Sequence, residues 1–227
     1  MKKQDTAKRY LIIGLIAAAV TVLGGELPLG WYVRPETGDM FSSQFAGYGS
    51  VSMPHIASGI FFGGIGIALQ GFGYEGISRL LYRDTDCKRT ARLTHIGALF
   101  CGMFGPLVHI LCAAGMYFCK SGNVDEIMQF MLYFVMPITV VFMPVYMAMM
   151  VALFAAVIRG KTKLPKWSAV FNPAIVMMLV NTITFILGNS HISNAVQMAN
   201  MGIGSFVFFL CWLVKYRTDR LVSEPTR

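Results

Sequence analysis

The chain has 227 residues, of which 56% are hydrophobic and only 13% charged, and its mean hydropathy is +0.60. So little polar surface cannot clothe a water-soluble globule of this length, and the composition indicates an integral membrane protein. The formal charge of +8 does not point to nucleic acid, because the basic residues fall in short clusters between long apolar runs instead of along one soluble face.

Crossing about 30 Å of hydrocarbon takes roughly 20 mostly apolar helical residues, since lipid offers the backbone no hydrogen-bond partner. Six stretches qualify, running approximately from Tyr10 to Trp31, Ile56 to Tyr74, Leu93 to Phe118, Ile127 to Ile158, Val170 to Leu187 and Ala195 to Tyr216. The expected fold is therefore all-α, a polytopic transmembrane bundle of six spans forming a single domain over residues 1–227. The first stretch follows Lys2, Lys3, Lys8 and Arg9 and has the layout of a signal peptide, but Gly24-Gly25 before Glu26 offers no Ala-x-Ala site, which favours a retained helix. The long loop from about Tyr32 to His55, punctuated by Gly, Ser, Thr and Pro, reads as an extracytoplasmic cap.

The second stretch is rich in glycine. Gly71-Phe72-Gly73-Tyr74-Glu75-Gly76 spells a dinucleotide-binding pattern, yet it ends a membrane helix instead of following a strand, and Gly59 with Gly63 reads as a small-residue pair for close helix packing. Glu75 with Arg79 reads as an interfacial i,i+4 ion pair, and His95 as a solvated interface residue. The fourth stretch is overlong but too short for two spans and a turn, so Pro137 and Pro144 should bend one helix between about Tyr133 and Met147. Lys161 to Trp167 reads as an interfacial anchor, with Asn172 capping a helix opened by Pro173.

Basic residues set the orientation. Lys2, Lys3, Lys8, Arg9, then Arg79, Arg83, Lys88, Arg89, Arg92, then Arg159, Lys161, Lys163, Lys166, and finally Lys215, Arg217, Arg220 and Arg227 fall on one side of six spans, against Arg34 and Lys120 on the other. Seventeen of the 19 thus place both termini in the cytoplasm, and the expected location is the cell inner membrane, with the lipid bilayer as the first partner. The five cysteines form no Cys-x-x-Cys pair, and Met143, Met147 and Met150 read as packing, not as soft-metal ligands. No metal or cofactor is expected, since no phosphate-binding loop, zinc motif or nucleophile elbow occurs.

What remains is a set of polar residues at membrane depth. Counting about 1.5 Å per residue from Tyr10, Glu26 lies about 24 Å up; His109, counted from Leu93, reaches a similar height, and Asn181 about 20 Å from Ser168. Asn200 enters from the outside, with His191 and Asn194 above it and His55 just above the second span. Glu26, His109, Asn181, Asn200, His55 and His191 are therefore the candidate ligand-binding residues, gathered in one layer. The alternative is that Glu26 lies in the outer headgroup region beside Pro28 and Trp31, while His109 and the asparagines bond to neighbouring helices.

Gly25-Glu26-Leu27-Pro28-Leu29-Gly30, His109, and Leu164-Pro165-Lys166-Trp167 with Asn172-Pro173 together resemble a bacterial family of uncharacterised six-span membrane proteins, a domain of unknown function, over nearly the whole chain. In that pattern the acidic residue after the glycine is often Asp; here Glu26 keeps the carboxylate and lengthens its reach. The resemblance implies an architecture and no activity.

Three functions stay open. The first is binding or transport of a small, largely apolar ligand through an outer-leaflet-facing polar site, with Glu26 orienting or proton-coupling it, His109 sharing the proton and Asn181 and Asn200 supplying hydrogen bonds. The second is a membrane-embedded enzyme acting on a lipid or sterol-like substrate with Glu26 and His109 as acid and base, by analogy with emopamil-binding-type sterol isomerases, of which no motif is present. The third is a non-catalytic assembly partner.

Overall fold

Helices alone satisfy the backbone of this apolar chain, and no strand occurs among the described residues. The computed structural model describes residues 2–36, 39–84 and 86–223, with side chains over 6–36, 39–83 and 86–216. Eight helical segments follow in order: α1 (Thr6–Leu29), α2 (Met40–Gly49), α3 (Met53–Arg83), α4 (Lys88–Ser121), α5 (Val124–Ile158), α6 (Pro173–Leu187), α7 (His191–Met198) and α8 (Asn200–Tyr216). Among the described residues four of these, α1, α3, α4 and α5, are long and apolar enough to cross a membrane, and α7 with α8 makes a fifth if the bent pair counts as one span.

The second and third spans lengthen to Met53–Arg83 and Lys88–Ser121, and the expected boundaries change in three further places. Ala195 to Tyr216 is not one rod: the helix begins at His191 and breaks at Ala199 with a 59° bend. Val170 to Leu187 shortens to the 15 residues of α6, about 22 Å of helix. The cause is local, since Pro173 occupies the first turn and the Asn172 side chain accepts from Ala174 N at 3.1 Å, so the preceding Lys166–Phe171 winds separately as a tight 3₁₀ turn. The Tyr32 to His55 loop contains α2, started by Asp39, whose Oδ1 accepts from Phe41 N at 2.8 Å and Ser42 N at 3.0 Å. Of the residues used to orient the chain, Lys2, Lys3, Arg217 and Arg220 have no described side chains, and Arg227 lies outside the described residues altogether.

Three of the long apolar helices contain wide π turns, in which hydrogen bonds reach one residue further than usual: Thr21–Glu26 in α1, Gly59–Gly63 in α3 and Met131–Val135 in α5. The last ends two residues before Pro137, so the backbone ladder is already loosened where that proline removes a donor, and α5 stays helical through Pro137 and Pro144.

The helices pack in the lateral order α5, α4, α3, α1, α8, α6. Cys87 Sγ donates to Lys161 O at 3.5 Å, joining the two basic loops at one end. At the other end Lys120 Nζ donates to Gly49 O and Val51 O at 3.0 and 2.6 Å, and Arg34 N donates to Asn189 Oδ1 at 3.0 Å. Lipid tails are as apolar as leucine, so close packing and polar bonds hold such helices together. The main core, with Leu11, Tyr74, Ile77, Met149, Leu153 and Phe209 fully buried, lies nearer the basic end, and a smaller one around Leu29, Tyr32, Ile56 and Met116 lies at the other.

Candidate functional site

Gly24 and Gly25 allow the wide turn of α1 to lie directly on that of α3. A Cβ on Gly25 would stand 2.7 Å from Gly63 Cα, far inside the ordinary carbon contact of about 3.5–4.0 Å, and Ser58 Oγ donates to Gly24 O across the junction. The bare face of Gly63 in turn leaves a notch filled by the imidazole of His109 from α4, whose Nε2 lies 3.0 Å from Gly59 O. A carbonyl only accepts, so Nε2 carries the proton and donates, and Nδ1 is the nitrogen left for other chemistry.

Glu26 closes the wide turn of α1. It is 6% exposed, and its Oε2 is buried against Gly202 in the first turn of α8, whose backbone N–H is its polar neighbour without meeting it in a full hydrogen bond. Any side chain at position 202 would overlap that oxygen. The break at Ala199 thus brings the N-terminal, electropositive end of α8 to a carboxyl group inside the bundle.

Glu26 and His109 line one cavity of about 200 Å3, together with Asn200, Gln70, Tyr146 and Ser205 and the apolar walls of Ile67, Val108, Phe142, Met198 and Met201. They do not hydrogen-bond to each other. Gln70 Nε2 is spent on Thr21 Oγ1 at 2.9 Å, and Ser205 Oγ is paired with the Tyr74 hydroxyl at 2.8 Å. That leaves Glu26 as the one acidic side chain of the lining, with its buried Oε2 short of a full hydrogen bond.

Asn181 stands one step away: Asn200 Nδ2 donates to its Oδ1 at 2.9 Å, and it lines an adjoining chamber of about 260 Å3 with Arg34, Gln44, Asn194, Gln197 and the phenols of Tyr32 and Tyr48. Met198 and Asn200 border both spaces. Burial pushes both phenols above their usual range, so they serve as neutral groups. His55 and His191 line neither chamber. His191 is exposed and stacks on Trp31 with ring centroids 5.5 Å apart, and His55 sits in the first turn of α3 with its N–H facing Ser52 Oγ at 3.4 Å.

Sequence reasoning missed Gln70, Tyr146 and Ser205 in the inner chamber, and Arg34, Gln44 and Gln197 in the outer one. Gln70 was the legible one, an amide deep in a glycine-rich apolar stretch. Elsewhere Arg79 Nε pairs with Glu75 Oε1 at 2.8 Å as expected, but His95 is not simply solvated, since its Nδ1 meets Glu75 Oε2 at 2.6 Å. Among the described residues no three His, Cys, Asp or Glu side chains converge as metal ligands.

Residues 1–219 match the model of a family of unknown function, DUF6796. The chain belongs to this family. No curated protein and no solved structure matches it. The DUF6796 match takes in the whole helical bundle and every residue of both chambers, from Glu26 to Ser205.

Proposed function

We propose that this chain is a six-span protein of a bacterial inner membrane with both termini in the cytoplasm, and that it binds or carries a small, largely apolar molecule in the cavity at Glu26. Six spans rest on counting α6 and the bent α7–α8 pair as crossings, in agreement with the two basic loops meeting at one end and the loops of Arg34, Lys120 and Asn189 at the other. One observation carries the ligand reading: a carboxyl oxygen buried short of a full hydrogen bond in a cavity whose walls are mostly apolar. A buried acceptor left unmet costs about 1–3 kcal/mol, and a ligand hydroxyl or amine entering the cavity removes that cost. Glu26 is then the orienting group, and Asn200 with Asn181 borders the way in.

The enzyme reading draws on the same cavity, but His109 Nε2 is held by Gly59 O and does not reach Glu26, so a shared proton must pass through a ligand or water. The assembly reading needs no cavity and gains nothing from the unanswered oxygen.

The test is thermal unfolding of the purified chain in an uncharged detergent with 1-octanol, 1-decanol and their alkane counterparts. The alcohols should stabilise the protein more than the alkanes, and Glu26→Gln, which exchanges the carboxyl for an amide in the same space, should weaken their binding severalfold. Equal shifts for alcohol and alkane, or shifts indifferent to Glu26→Gln, would overturn the reading; product formed from a lipid extract and lost in Glu26→Gln would favour the enzyme.

A further inference from the structure

The outer chamber differs in kind from the inner one. It is lined by amides, two phenols and the guanidinium-bearing Arg34, and it shares Met198 and Asn200 with the space around Glu26. Arg34 is held there by its backbone. Its N–H donates to Asn189 Oδ1 at 3.0 Å, Asn189 Nδ2 returns a bond to Arg34 O at 2.7 Å, and Asn194 Nδ2, 2% exposed, binds both Asn189 Oδ1 and Tyr32 O at 2.9 Å. Three polar bonds thus fix the extended segment after α1 against the α6–α7 connection, the fourth braces that connection internally, and the Arg34 side chain is left to the chamber.

Among the described residues the Arg34 guanidinium has no ion-pair partner. The other outer-end cation, Lys120, is consumed by the carbonyls of Gly49 and Val51, and the Asp39 carboxylate is occupied by Phe41 and Ser42. An arginine fork over a chamber lined with amides is suited to a carboxylate, which accepts two parallel N–H bonds.

We propose that the ligand is two-ended, with a carboxylate held by Arg34 in the outer chamber and, beyond an apolar middle passing Met198 and Asn200, a hydroxyl donated to Glu26 in the inner chamber. This rests on the reading of Glu26 as the acceptor for a ligand donor and adds the second end. The chemical class is a medium-chain ω-hydroxy carboxylic acid. The inner chamber, at about 200 Å3, and the outer one, at about 260 Å3, meet at Met198 and Asn200, so the two ends of one such molecule can occupy both.

The experiment measures binding of ω-hydroxy acids of six, eight, ten and twelve carbons to the full chain in uncharged detergent, beside the plain acids and the α,ω-diols of equal length. Wild type, Arg34→Gln and Glu26→Gln are compared. Because the bonds to Asn189 use the backbone of residue 34, Arg34→Gln should keep them and fold normally. One chain length of hydroxy acid should bind best. Arg34→Gln should weaken hydroxy acid and plain acid roughly tenfold or more while sparing the diol, and Glu26→Gln should weaken hydroxy acid and diol while sparing the plain acid. If diol and hydroxy acid bind alike, or Arg34→Gln affects both alike, the carboxylate subsite is overturned and the Glu26 reading stands. If only Glu26→Gln is silent, the Glu26 reading fails, and with it the two-ended ligand. Absence of binding by every probe overturns both.

Discussion

Replacing Gly63 by alanine puts one methyl group where the imidazole of His109 already lies. The three atoms nearest to the added Cβ all belong to that ring, Nε2 closest and Cδ2 and Cε1 at 2.6 and 2.8 Å, so the ring must leave. Overfilling a packed site costs about 1–3 kcal/mol. Losing the Nε2–H bond leaves the Gly59 carbonyl unmet at a further 1–3 kcal/mol or so. The single substitution should therefore destabilise the protein by roughly 2–6 kcal/mol in thermal or denaturant unfolding in detergent. His109→Ala loses the same hydrogen bond but opens the space the methyl needs. Gly63→Ala should consequently cost almost nothing in the His109→Ala background, a coupling on the order of 2–6 kcal/mol. Strict additivity of the two changes would refute the notch-and-ring geometry and remove the reason for His109 to stand at the cavity.

Asn172→Ala should cost about 2–4 kcal/mol, because this 2%-exposed side chain both caps α6 and donates to Met150 O at 2.9 Å; the unfolding midpoint of the variant measures it, and Asn172→Ser should recover only the capping part. The carboxyl of Asp39 is held below the usual aspartate range by the backbone N–H and hydroxyl of Ser42 and the N–H of Phe41. A depressed native pKa gives stability that is complete above the unfolded value of about 3.8 and is lost as pH falls through the native one, so the protection of α2 amides relative to intrinsic exchange should fall there in wild type and be lower throughout in Asp39→Ala. A thiol-reactive probe applied outside intact cells should label a cysteine placed at Ser190 and spare those at Thr90 and Lys163; the companion outer position, Thr37, lies outside the described residues.

Depth alone brought out Glu26, His109 and Asn200 as neighbours, because a helix fixes height per residue and the bilayer fixes where polar groups are conspicuous. Height says nothing of azimuth, which is why Asn181 falls in the next chamber while His55 and His191 stand outside both. The wide turns were not legible, since an i→i+5 ladder leaves no period of its own in the sequence; Gly24, Gly25, Gly59 and Gly63 marked close packing without saying that it would occur between two such turns. The break at Ala199 escaped notice because neither glycine nor proline marks it; the polar residues Asn194, Gln197 and Asn200 beside it were the signal available. Arg34 was weighed as a topological charge, and only its tether to Asn189, 155 residues away, makes it part of a chamber.

The division of the last membrane segment has a consequence for biogenesis. The α7 piece carries His191, Ser193 and Asn194, and α6 has only 15 residues, so neither is a strong insertion signal by itself. Their polar groups are satisfied by parts made much earlier: Asn194 Nδ2 reaches Tyr32 O, and a Cβ on Gly30 would strike the backbone of Asn194 and Ala195. The C-terminal third should therefore enter the bilayer as one hairpin, leaving the translocation channel only when α1 is present to receive it. Damage at the far end of α1 would then emerge as failed insertion of a hairpin encoded more than 140 residues downstream.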